Sequence, residues 1–72
     1  MREIDFELRG EHITLDALLK AAGLATSGGD AKTLIQQGGV QVNGEVDVRR
    51  GRKLRVGDEV AVGGQRVALR GG

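Results

Sequence analysis

The 72-residue chain has no cysteine, no proline, no tryptophan and no tyrosine, and Phe6 is its single aromatic residue. Without cysteine there can be no disulfide, thiolate metal ligand or cysteine nucleophile, and the expected compartment is the reducing cytoplasm. One aromatic cannot furnish a row of rings for stacking successive bases, which disfavours single-strand readers of that design. No apolar run approaches the roughly 18 residues of a membrane span, so no membrane partner is expected. The early acids Glu3, Asp5 and Glu7 are foreign to a signal peptide. The lone His12 lies beside Glu11 and reads as a surface side chain, since one histidine without partners makes no metal site. Gly28-Gly29 and Gly38-Gly39 lack the lysine and hydroxyl spacing of a nucleotide-phosphate loop. No catalytic residue, metal or cofactor is therefore expected, and the chain is read as a non-enzyme.

What remains fits one small domain spanning residues 1–72. A chain of this length buries only about 60% of its unfolded surface, enough for a single core and too little for a deep cleft. Thirteen glycines take over the turns that proline would otherwise share. The net charge is only +1, but it is unevenly spread. Residues 1–30 carry three basic and six acidic side chains, whereas residues 31–72 carry eight basic and four acidic ones. That asymmetry points to a polyanionic partner.

From residue 3 to 9 the pattern alternates, with Ile4, Phe6 and Leu8 on one side and acids on the other, as in a half-buried strand. Thr14 offers an N-cap, Asp16 favours a helix start, and Leu15, Leu18, Leu19 and Ala22 make one apolar stripe before Gly23. The first helix is thus predicted over 15–22. Ala31, Leu34 and Ile35 repeat at helical spacing before Gly38, predicting a second helix over 28–37. The period then changes to two. Val40 and Val42 lead into Asn43-Gly44, a strong hairpin signal, and Val46 and Val48 return from it. A basic loop over 49–55 follows, then a Gly57-Asp58 turn, a strand with Val60 and Val62, a Gly63-Gly64 turn, and a strand with Val67 and Leu69. The expected fold is α+β, with two short helices packed on a small, mostly antiparallel sheet.

Residues 49–55 include Arg49, Arg50, Arg52, Lys53 and Arg55 and no acid. Phosphate is the natural counterpart of such a segment, because each contact releases condensed counterions; the alternative is a solvated loop kept for solubility. The start of the second helix is a further candidate, since Ser27, Gly28 and Gly29 could bring unpaired backbone amides close to a phosphate. Ordinary capping by Ser27 and Asp30 competes with that reading, and Asp30 would repel an anion. Lys32 and Gln36 stand one turn apart on the polar face of this helix.

Two short helices, then Gly38, Val40, Val42, Asn43-Gly44, the basic stretch, and Gly57-Asp58 with Val60 resemble the α-L RNA-binding domain of the ribosomal-protein S4 type. The resemblance covers about residues 14–62, and the strings Ser27-Gly28-Gly29, Ala31-Lys32 and Arg49-Arg50-Gly51-Arg52-Lys53-Leu54 look most like its small bacterial YbcJ/YaaA-like members. It implies binding of structured RNA, ribosomal RNA first and transfer RNA second, on the ribosome or a precursor, by a monomer. Gly28 stands where many members carry a basic residue, which shifts weight to Lys32 and the basic loop. The expected mechanism is a basic groove between the second helix and residues 49–55 that tracks an RNA backbone. In it Ser27, Gly28, Gly29, Lys32, Gln36, Arg49, Arg50, Arg52, Lys53 and Arg55 make contact, the arginines as phosphate forks. Two rivals are weighed against it. The terminal Gly71-Gly72, with residues 14–24 and the Asn-Gly and Gly-Asp turns, also resembles a β-grasp sulfur carrier or ubiquitin-like protein. A protein-interaction module would use the acidic strand.

Overall fold

The alternating opening segment forms β1 (Arg2–Leu8), the first of seven strands in a computed structural model that describes residues 2–71. It is followed by β2 (Ile13–Thr14), α1 (Leu15–Ala21), α2 (Gly28–Gln36), β3 (Val40–Val42), β4 (Glu45–Val46), β5 (Lys53–Leu54), β6 (Glu59–Val62) and β7 (Gln65–Gly71). The main sheet has the order β1-β7-β6-β3-β4. Every pairing in it is antiparallel except that of β1 with β7, which is parallel. The α+β architecture with two helices and a mostly antiparallel sheet is the one expected from the sequence, and both helices end one residue earlier than predicted.

One core joins these layers. Leu15, Leu18 and Leu19 of α1, Ala31 and Ile35 of α2, Val40, Val60, Val67 and Leu69 of the sheet, and Leu54 are buried in it. Burying a leucine or valine of this kind contributes roughly 1.5–3 kcal/mol. The glycine turns behave as their chemistry requires. Asn43 and Gly44 both adopt positive φ, 52° and 86°, the geometry of a two-residue type I′ hairpin turn.

The structure corrects the sequence at three places. The segment 49–55 is not wholly a loop, because Lys53–Leu54 pairs antiparallel with Ile13–Thr14 as a separate two-stranded sheet. Neither strand is long enough to show a period. The returning hairpin strand ends at Val46, and both Val46 and Val48 are more than half exposed. Past Val46 the chain leaves the strand, and it is Asp47, 8% exposed, that turns inward there while Val48 stays in solvent. Finally, Thr14 is at the N-cap position of α1, but its hydroxyl caps nothing. The helix uses another cap, described below.

Candidate nucleic-acid interface

The basic segment is held in a defined shape from two sides. On one side its carbonyls cap α1: the Leu15 N–H donates to Arg52 O at 2.9 Å and the Asp16 N–H to Arg50 O at 3.2 Å. These are two of the amides that the first turn of a helix leaves without partners. The Arg52 N–H closes a tight turn on Arg49 O at 3.2 Å, which leaves Arg50 and Gly51 exposed at the tip.

On the other side stands Asp47. Its Oδ1 accepts from the Arg49 backbone N–H at 2.9 Å and from Arg49 Nε at 3.2 Å. Its Oδ2 accepts from Arg49 Nη2 at 3.0 Å and from Arg52 Nη1 at 3.1 Å. The hydrogen bonds from Arg49, outweighing the cost of burial, hold the Asp47 carboxyl well below its ordinary value, at about 2, and raise Arg49 in turn. Asp16, beside Arg50, is also lowered, chiefly by a hydrogen bond from Thr14. Nothing local in the sequence marks Asp47 for this role: an acid between two valines on an alternating pattern reads as a solvent-facing position.

The expected site residues therefore divide. Arg49 has committed the side-on edge of its guanidinium to Asp47 and cannot also present that edge to a phosphate. Arg52 keeps Nε and Nη2 and is about one-third exposed. Arg50, Lys53 and Arg55 are exposed, and among the described residues no carboxylate lies within ion-pair distance of them. Lys32 and Gln36 are exposed on α2, and Lys32 has no ion pair among the described residues either.

At the start of α2 the geometry is that of a cap. Ser27 Oγ accepts from the Asp30 N–H at 3.1 Å, and Asp30 Oδ2 accepts from the Thr26 N–H at 3.0 Å and the Thr26 hydroxyl at 3.3 Å. Gly28 and Gly29 are exposed, but the carboxylate at this helix end already supplies the negative charge that a phosphate would bring. Beside the basic segment is an open concavity of about 450 Å³, lined from the hairpin and the following turn by Val42, Val46, Val48, Asp47, Arg49 and Arg52 among others, and by no residue of α2. The basic segment is bonded to α1, and α1 packs on α2, so α1 links the two candidate surfaces.

The fold is thus a small α+β domain that presents a braced basic turn beside two short helices. The chain belongs to the S4 domain family, whose pattern it matches over residues 6–70, and this is the class of RNA-binding domain that the sequence resembles. It is 52% identical over 54 residues, 75% of this chain and 76% of the relative, to a Bacillus subtilis protein named "Probable ribosome maturation protein RlbA". It is 39% identical over 58 residues, 81% of this chain and 83% of the relative, to the Escherichia coli K12 protein named "Putative RNA-binding protein YbcJ". A third similarity, 42% over 60 residues, covers 83% of this chain but only 15% of a tyrosine–tRNA ligase from Ralstonia nicotianae. Gly71, which a sulfur carrier would need in a free tail, is paired opposite Leu8 at the end of β7, and Gly72 lies outside the described residues.

Proposed function

We propose that the protein binds structured RNA, ribosomal RNA in preference to transfer RNA, with residues 49–55 as the main phosphate-contacting surface and Lys32 and Gln36 of α2 as a second one. The observation that carries this reading is the brace around the basic turn. Backbone bonds to α1 and side-chain bonds to Asp47 fix the turn's shape, while Arg50, Lys53 and Arg55 project with no carboxylate partner among the described residues. A preorganised cluster loses little conformational freedom on binding. The names of the Bacillus and Escherichia relatives, ribosome maturation and RNA binding, support the same class of partner. Arg50 is the phosphate fork of this surface, with Arg52 contributing its free edge, while Ser27 caps α2, whose first two residues are Gly28 and Gly29. A-form RNA offers side chains no reading in its deep major groove, so the surface recognises phosphates, 2′-hydroxyls and irregular junctions.

The test is a titration of the purified protein against a ribosomal RNA fragment, a transfer RNA and duplex DNA of matched length, each at low and near-physiological salt. Binding to the ribosomal fragment that exceeds the other two and persists at the higher salt is the expected result. Equal, salt-labile binding to all three polymers would reduce the segment to a solvated basic surface.

A further inference from the structure

Within this RNA-binding reading, the concavity at the hairpin takes a ligand different from the phosphates gathered on the turn. Its lining contains two guanidiniums, of Arg49 and Arg52, and two carboxylates, of Glu45 and Asp47, so its formal charges cancel. A phosphate would gain little there. The same lining carries Val46 and Val48, 55% and 56% exposed, which with Val56 are the large apolar side chains the fold leaves in solvent among the described residues. Paired charges with an uncovered apolar wall suit a flat, uncharged, polarisable group.

The Arg49 guanidinium is the second element. Gripped side-on by Asp47 through Nε and Nη2, at 3.2 and 3.0 Å, it is fixed in orientation although its side chain is 69% exposed. A guanidinium held by its edge presents its faces, and those faces stack on aromatic rings. RNA bases extruded from loops and bulges are recognised by stacking on such planes as well as on aromatic side chains. In a chain whose one aromatic is Phe6, Arg49 is the more exposed of the two guanidinium planes that line this site.

We infer that the concavity formed by Val46, Val48 and the Asp47-braced Arg49 is a subsite for one unpaired nucleobase of the bound RNA, the base stacking on the Arg49 guanidinium against the two valines. Asp47 is then a positioning residue: it touches no base and sets the plane on which the base lies.

The experiment compares two RNA hairpins that differ by a single bulged adenine, using the full chain and its Arg49→Lys and Val48→Ser variants, each confirmed folded by its thermal melt. The wild type is expected to prefer the bulged hairpin by about five- to tenfold, the low end of what one stacked base contributes. Arg49→Lys keeps the positive charge and removes the plane, so that preference falls to near parity, and Val48→Ser lowers it part of the way. An undiminished preference in Arg49→Lys, or no preference in the wild type while both hairpins bind, overturns the subsite and leaves the functional reading intact. Failure of the wild type to bind either hairpin at low salt overturns the RNA-binding reading itself, and the subsite with it.

Discussion

Asn43 and Asp58, fifteen positions apart, join the two turns at one end of the β3–β6 pairing: Asn43 Nδ2 donates to Asp58 Oδ1 at 3.1 Å. Asn43 Oδ1 also accepts from the Glu59 N–H at 3.0 Å, and Asp58 Oδ2 accepts from the Arg55 N–H at 2.8 Å. The asparagine of the Asn-Gly turn thus does more than tolerate a positive φ. It fastens the β3–β4 hairpin to the turn that leaves the basic segment.

Replacing Asn43 with alanine removes two hydrogen bonds and places a less tolerant residue at φ 52°. The expected cost is about 2 kcal/mol, read as a shift of the denaturant midpoint. Asn43→Gly keeps the turn and costs less. Equal costs for the two variants would show that backbone strain contributes nothing here.

Asp47 makes stability depend on acid. Its carboxyl is lowered from 3.8 to about 2 in the folded protein, so the unfolded chain binds the proton more readily. The stabilisation is complete above pH about 5 and is lost as pH falls through about 2. It amounts to at most about 2 kcal/mol, and less because Arg49 is mostly exposed and screened by solvent. Thermal melts across that range should show a steeper acid loss in the wild type than in Asp47→Asn; parallel profiles would count against the brace.

The three cations of the basic segment that have no ion pair among the described residues can be removed without touching the brace. Arg50→Ala, Lys53→Ala and Arg55→Ala together should weaken RNA binding at low salt and flatten the dependence of log K on log salt by up to about two units. The melting temperature should hardly change. An unaltered salt slope would move the phosphate surface elsewhere.

Ser27 and Lys32, close in sequence at the start of α2, should behave oppositely. Ser27→Ala loses a cap and should cost about 1 kcal/mol of stability while the folded protein keeps its RNA affinity. Lys32→Ala should leave stability within about 0.5 kcal/mol and weaken RNA binding a few-fold. A loss of affinity in Ser27→Ala would restore the phosphate cradle that Ser27-Gly28-Gly29 suggested.

Local signals carried most of this fold. The alternation of residues 4, 6 and 8, the helical spacing of Leu15, Leu18 and Leu19, and the Asn43-Gly44 turn each depend on neighbours a few positions away, and each is realised in the structure. The pairing of Ile13–Thr14 with Lys53–Leu54 is two residues long and leaves no period to read. The site was legible as composition only. That five cations crowd residues 49–55 is plain in the sequence, but their division into braced and free ones is set by the inward turn of Asp47 and by the amides of α1, which are tertiary facts.

The parallel pairing of β1 with β7 sets Arg2 opposite Gln65 and Leu8 opposite Gly71, so the strand made first is completed by the strand made last. While the chain emerges during synthesis, the helices and the β3–β4 hairpin can form from neighbours already present, but β1 must wait with Ile4, Phe6 and Leu8 uncovered until residues 65–71 arrive. Closing a loop of that length adds an entropic barrier that no local contact offsets. The acids Glu3, Asp5 and Glu7, exposed in the finished fold, lie between those apolar residues and keep the waiting strand from pairing with others like itself.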